Sequence, residues 1–476
     1  MTTRPDAATD PGARRVLALA SSALVVLVAE PLYLLVDTAV VGHLDGASAA
    51  TGYQPGVPLA GLAVGGVVLA QVASLGTFLA YGTTARAARH HGAGDRPAAV
   101  AEGVAATWIA LLVGAVVVLA GWLAAPWIAQ VLGGEGPVAD AATGWLRIAV
   151  WGAPGILVAL AGHGWMRGVQ DTRRPIVVVL AGNGLSAVLC PVLVHGAGPV
   201  PALGLEGSAW ANVAAQAVVG VLFVGALVRE RRHAAQRSGR AGGGSLSLRP
   251  VPSAMRAQLG LGRDLLLRSA AFQACFLSAT AVAARFGAPS VAAHQIVLQL
   301  WMFMVTVLDA LAIAAQSLVG AALGAASVAT ARRVAGRVTR YGLVLGVLAG
   351  VVFAATAGVL PGVFTPDGAV REVVPQAWWF FVALQPVAAY VFALDGVLLG
   401  AGDAAYLRRI TVGSALGAFL PMIWLSLALD WGLVGIWAGL SLFIAARAVA
   451  VGLRVRGEGW AVTGTGPAGP RGARQS

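Results

Sequence analysis

Hydropathy along this chain rises and falls twelve times, and each rise is long enough to cross a bilayer. A spanning helix needs about 20 mostly apolar residues. Runs of that kind lie at about 16–41, 54–82, 98–122, 139–166, 173–195, 205–228, 262–286, 290–322, 338–360, 375–400, 409–429 and 431–454. Only 11% of the 476 residues are charged and 58% are apolar, whereas soluble domains carry about 25% charged residues. This excludes an ordinary soluble enzyme, a disordered chain and a fibrous protein. The expected fold class is an all-α polytopic membrane protein. A cleaved signal peptide is the rival reading for the first run. However, that run continues through Glu30 and Asp37 to about Val41, too long for a signal core.

The 32 basic residues are all arginine. Without lysine, neither a Walker A phosphate loop nor a Schiff-base enzyme is open to this chain. Cys190 and Cys275 sit in apolar runs with no metal-ligand spacing, so no metal or other cofactor is expected. The net charge of +12 first suggests nucleic acid, but the arginines follow topology. They cluster after even-numbered spans, as in Arg86, Arg89 and Arg96, or Arg332, Arg333 and Arg337. The positive-inside rule then puts both termini in the cytoplasm. Anionic lipid headgroups are the expected partners of these loops, beside small-molecule substrates; no nucleic-acid partner is expected. The arginine-only, Ala/Gly/Val-rich usage resembles GC-rich bacterial coding, so the expected location is a bacterial plasma membrane, and the expected state a monomer.

The basic, then Gly/Ser-rich stretch 229–258 reads as a cytoplasmic linker. It divides the chain into a tail at 1–15, an N-lobe of six spans at 16–228, a C-lobe of six at 259–455, and a disordered cytoplasmic tail at 456–476. The halves repeat. Pro154, Gly164, Gly168 and Asp171 match Pro386, Gly396, Gly400 and Asp403 at an offset of 232. GASAATGYQ at 46–54 matches GAPSVAAHQ at 287–295, and GLEG at 204–207 matches GLVG at 432–435. Six spans is an even number, so the repeats are parallel. The expectation is two pseudo-symmetric six-helix lobes around a central cavity, the plan of transporters that alternate access. The paired glycines read as close helix packing, and the Asp and Arg after each pair as loop-ordering ion pairs.

Charge inside the hydrocarbon costs at least ~2.5 kcal/mol by insertion scales. Glu30, Asp37, Asp309 and Asp395 all fall within spans. Arg147 is the one base expected inside a span, so some of these acids should be protonated or face water. A desolvated carboxyl favours its neutral form, which suits it to load and release protons. Glu30 and Asp37 share a helix face about 10 Å apart, with Pro31 between them as a bend point. The alternative is a structural polar pair with a passive proline.

Polar stripes mark further candidates. Gln295, Gln299, Thr306, Asp309 and Gln316 lie within about 60° of one line on span 8. Asn183, Ser186 and Cys190 share a face of span 5, and Asn212 with Gln216 is an i, i+4 pair in span 6. Such stripes face a bundle interior or a watery cavity; helix–helix hydrogen bonding is the plainer reading. His163 takes the place of Asp395 in the repeat and reads as structural. Trp301, Trp378 and Trp379 are candidates to line an apolar cavity.

PLYLLVDTAVVGHL at 31–44, AAHQI at 292–296, LDALAIAAQSLVGAALGA at 308–325 and LDGVLLGAGD at 394–403 resemble the multidrug and toxic compound extrusion (MATE) transporters, most of all their DinF-type branch. The resemblance covers about 16–455. It implies twelve helices in two lobes and export of cationic, amphipathic compounds in exchange for H⁺ or Na⁺. By position, Asp37 matches the first-span acid implicated in proton coupling, Asn212 a polar residue that supports it, and Asp395 a tenth-span acid implicated in cation coupling. Where the family often has Asn-x-x-x-Asp in span 5, this chain has Ser186 and Cys190; Glu30 is then the substitute second carboxylate. The span 7 acid of Na⁺-type branches is also missing, since Ser278 stands opposite Asp37 in the repeat.

The expected function is therefore a secondary active multidrug exporter using proton antiport. Asp37, Glu30 and Asp395 are the coupling candidates and Pro31 the gate. Asn183, Ser186, Cys190, Asn212, Gln216, Gln295, Gln299 and Asp309 are the cavity candidates. Na⁺ coupling and a lipid-intermediate flippase are the alternatives. An intramembrane enzyme lacks the clustered His, paired acids or Ser/Lys pair it would need.

Overall fold

A computed structural model describes residues 12–46, 54–237 and 248–465, without the side chains of 30–33, 45–46 and 233–237. The tail before residue 12, the repeat block at 47–53, the middle of the linker at 238–247 and the last residues from 466 lie outside the described residues. The described chain is helical, with no strand among the described residues.

Among the described residues, twelve helices are long and apolar enough to cross a membrane. They are α1 Ala13–Gly42, α2 Val57–Gly92, α3 Arg96–Gly133, α4 Pro137–Gly168, α5 Arg174–His195, α6 Leu205–Arg237, α7 Pro252–Arg285, α8 Ala288–Gly324, α9 Val328–Ala355, α10 Pro375–Gly400, α11 Ala404–Ala428 and α12 Gly432–Arg456. Every expected span has its helix. Several ends run further than the apolar run. Helix α2 continues to Gly92, α9 starts at Val328 with Ser327 as its N-cap, and α7 starts at Pro252. Hydropathy reports where a helix leaves hydrocarbon, whereas the backbone ladder persists into water as far as arginine-rich turns allow. The same effect places 229–237 in α6 and 252–258 in α7, inside the stretch expected to be linker.

The chain forms two compact units. One holds 25–87 and 95–259. The other holds 260–476, the chain up to Leu24 and the end of α2 at 88–94. Their boundaries thus fall inside α1, α2 and α7 and in the turn between α2 and α3.

Helix crossings follow the internal repeat. In the first unit α2 crosses α4 at Gly164, where a Cβ would collide with the carbonyl of Ala80. Thr84 seals this crossing by donating to the Ala80 and Gly164 carbonyls at 2.8 and 3.0 Å. In the second unit α8 crosses α10 at Gly396, against the carbonyl of Ala312. Ala80 and Ala312 are themselves 232 residues apart, so the repeat extends to the partner helix. Gly400 meets the Gln316 carbonyl in the same way, and Gly207 and Gly435 pack α6 on α5 and α12 on α11. The ends of α2 and α8 cross reciprocally: a Cβ on Gly92 would overlap the Ala321 carbonyl, and one on Gly324 the Arg89 carbonyl. Small residues let backbones approach this closely.

Proline marks two irregular helices. Helix α4 passes through a 3₁₀ turn at Val150–Gly152 before Pro154, which cannot donate to the preceding turn. Helix α11 contains a π turn at Ala415–Phe419 ahead of Pro421. The aromatic core of the second unit includes Trp301, Trp378, Phe381, Phe419, Trp437 and Phe443.

The C-terminal segment differs from expectation. Residues 456–476 read as a disordered tail, yet 457–465 are anchored. The Trp460 ring is fully buried and its Nε1 donates to the Val455 carbonyl at 2.9 Å. Arg89 Nη1 donates to the Gly464 carbonyl at 2.8 Å and Arg89 Nη2 to the Ala401 carbonyl at 2.6 Å. Gly464 N–H donates to the Leu323 carbonyl. One tryptophan supplies the burial that the Gly/Pro/Arg-rich composition around it conceals.

Candidate functional site

Helices α1 and α5 run in the same direction and are pinned together at two levels. Asn183 Nδ2 donates to the Ala29 carbonyl at 2.8 Å. Seven residues along α5, the Cys190 thiol donates to Asp37 Oδ1 at 3.0 Å. Two turns of helix return a side chain to the same face, so one stripe of α5 makes both contacts. Position 31 lies between the pins, and α1 is continuous through it. The side chains of Glu30 and Pro31 lie outside the described residues, so their coupling and gating roles rest on sequence.

Asp37 is only 3% exposed and borders a cavity of about 470 Å³ inside the first unit. Its polar lining is Asp37, Thr38, Asn183, Asn212 and Gln216; most of the rest is apolar, including Leu34, Leu59, Leu69 and Ile156. Helix α6 reaches the cavity because α4 lies close beside it. Gly152 faces the side chains of Asn212 and Gln216, and Gly155 sits against the Gln216 backbone. The 3₁₀ turn of α4 falls at this contact. Trp145, also in the lining, is fixed by donating its indole N–H to Ser208 Oγ at 2.8 Å, while Ser208 donates to the Leu205 carbonyl.

The sequence candidates therefore separate into two groups. Asp37, Asn183, Asn212 and Gln216 meet at one cavity, and Cys190 touches it through Asp37. Ser186 is buried with its hydroxyl unpartnered among the described residues and is not in the lining. Gln295 and Gln299 are exposed and Asp309 half-buried on α8, in the other unit. Trp301 and Trp378 belong to the aromatic core there, and Trp379 is exposed. His163 is buried edge-on to Phe223, 4.6 Å between centroids. Among the described residues no group of three metal-ligating side chains forms.

Asp395 has partners that the sequence reading missed. Arg268 on α7 and Arg447 on α12 both donate to its Oδ2, at 2.6 and 2.5 Å. Arg147, expected as the one base within a span, instead lies over the Trp122 ring at 5.1 Å. Both missed arginines lie inside the apolar runs of their spans, so charge counted by depth was the available signal. Thr38 and Trp145 carried none, because their place in the lining depends on helix rotation. The expected loop ion pair forms after the first glycine pair, whereas the second Asp takes its partner from another helix. Asp171 pairs with Arg174 at 3.2 Å, and Asp403 with Arg454 of α12 at 2.8 Å.

The MatE family model matches residues 23–192 and 265–425. The chain is 32% identical over 454 residues to Protein DETOXIFICATION 44, chloroplastic, of Arabidopsis thaliana, covering 93% of this chain and 82% of the relative. It is 29% identical over 425 residues to DNA damage-inducible protein F of Escherichia coli (strain K12), covering 88% and 87%. Among solved structures it is similar to MATE in the bent conformation, with TM-score 0.82 and 19% identity over 94% of this chain and 96% of that one. It is also similar to a MOP superfamily transporter from Pyrococcus furiosus, with TM-score 0.79 and 19% identity over 96% and 98%. A match over both halves, together with twelve membrane-length helices, makes this a multi-pass membrane protein of the MatE family of transporters.

Proposed function

We propose that this protein exports amphipathic, often cationic compounds in exchange for protons, with Asp37 as the coupling carboxyl. The observation that carries the reading is a buried carboxyl, the one acid among the described residues of a mostly apolar cavity, flanked by Asn183, Asn212 and Gln216. Apolar walls with few polar groups suit a ligand that has a hydrophobic body and one charge, and the volume lies within the usual range of ligand pockets. An ionised Asp37 attracts a cation, whereas a protonated one does not. Proton loading therefore changes the affinity of the same cavity for its substrate. A ligand or proton shifts a two-state equilibrium only through such differential affinity.

The E. coli relative is named for DNA-damage induction and the Arabidopsis relatives for detoxification, which supports an efflux role. The location we propose is a bacterial plasma membrane with both termini cytoplasmic, from the arginine asymmetry. The alternative coupling ion is Na⁺. Purified protein in liposomes, loaded with a fluorescent cation and given a pH gradient or a Na⁺ gradient separately, distinguishes the two. Transport driven by the pH gradient alone supports proton antiport; transport driven only by Na⁺ overturns it.

A further inference from the structure

The C-terminal unit buries more positive than negative charge at one point. Arg268 and Arg447 share a single oxygen of Asp395. The side chains of Arg447 and Asp395 are 1% and 3% exposed, and that of Arg268 is 15% exposed. Of the charges around Arg447, Asp395 attracts it and Arg268 repels it. Neither arginine has a second acidic partner among the described residues. Phe272 lies 5.6 and 5.0 Å from the two guanidinium carbons, and Phe443 lies 5.6 Å from that of Arg447. Ring faces attract cations but supply far less than the hydration a buried ion gives up.

Hydrogen bonding is short at the same place. The Nε of Arg268, the Nε of Arg447 and the Oδ1 of Asp395 are all buried without a partner among the described residues. Buried polar atoms are nearly always satisfied, and exceptions point to a missing water or ion. The cluster lacks one negative charge and an acceptor for two N–H groups, while Asp395 Oδ1 lacks a donor, which a water and not an anion would supply.

We infer that a compact monovalent anion, a halide or a small carboxylate, binds beside Arg268 and Arg447 and neutralises the cluster. Guanidinium groups present N–H donors in a planar fork suited to such anions. Arg268 marks the side of entry, because it alone of the three retains appreciable exposure. The anion is a resident counter-ion of this unit, separate from the compound held at the Asp37 cavity.

Thermal unfolding of the purified protein in detergent tests this, at constant ionic strength, in chloride, acetate or the bulkier methanesulfonate. Wild type should show a saturable upward shift of several degrees in chloride or acetate over methanesulfonate. Whichever anion gives the shift identifies the source. Arg268→Gln leaves one cation facing one carboxylate, so the shift should disappear. Asp395→Asn leaves two unbalanced cations, so the dependence on anion should steepen. No anion-specific shift in wild type, or an equal shift in wild type and Arg268→Gln, would overturn the inference. The comparison of those two proteins decides the matter even if Asp395→Asn does not fold.

Discussion

The Cys190 thiol donates its proton to Asp37 Oδ1 at 3.0 Å, from α5 to α1. Where the family often carries a second acid, this chain has a neutral donor. A donor supports the carboxylate without adding a second charge to be neutralised. Cys190→Ser keeps a donor on a shorter arm and should retain transport. Cys190→Ala leaves a buried carboxyl oxygen without its partner, which costs about 1–3 kcal/mol. Thermal unfolding of both variants checks this, with Ala expected to fall and Ser to stay near wild type.

Glycines at the crossings should differ sharply from glycines elsewhere. A Cβ on Gly396 collides with the Ala312 carbonyl, whereas one on Gly413 meets nothing within 4 Å. Gly396→Ala should destabilise by about 1–3 kcal/mol through overpacking. Gly413→Ala should be neutral or stabilise by up to ~1 kcal/mol, because alanine is the better helix former. Unfolding midpoints of the two variants, measured in the same detergent, give the comparison.

The C-terminal strap rests on one side chain. Trp460 is fully buried, and truncating a buried tryptophan to alanine costs about 3–5 kcal/mol. Trp460→Ala should therefore release 457–465, freeing the backbone after Arg454 and Arg456 to enter the trypsin active site. Limited proteolysis read by mass spectrometry should show a new C-terminal cut in the variant and protection in wild type.

Orientation is testable through the linker. Seven arginines lie between 229 and 256, so a protease site inserted near residue 243 should be cut only from the cytoplasmic side. Cleavage from outside intact cells would reverse the proposed topology.

Much of the fold was legible because lipid imposes a simple rule. Each span must be long, apolar and helical, so all twelve appear in hydropathy. The repeat showed which glycines would meet backbone, Gly164 and Gly396 among them. The site was legible where polar residues share a helix face: Asn183 with Cys190, and Asn212 with Gln216. What the sequence did not reveal depends on tertiary rotation. Thr38 and Trp145 reach the cavity only because α1 and α4 turn them inward. Gln295 and Gln299 lie on the expected stripe of α8, which belongs to the other unit. Arg268 and Arg447 were visible as letters, but their convergence on Asp395 joins three helices far apart in sequence. Trp460 was hidden by its neighbours.

In the proposed mechanism Asp37 alone carries the coupling step. Asp37→Asn preserves size and still offers an acceptor to the Cys190 thiol, but it cannot gain or lose a proton. The direct measurement is transport of a fluorescent cation by wild type and Asp37→Asn in the same liposomes under an imposed pH gradient. The prediction is that the variant folds and binds the dye, yet its transport with the gradient falls to the rate seen without one. Gradient-driven transport by Asp37→Asn at the wild-type rate would contradict the assignment of Asp37 as the coupling carboxyl.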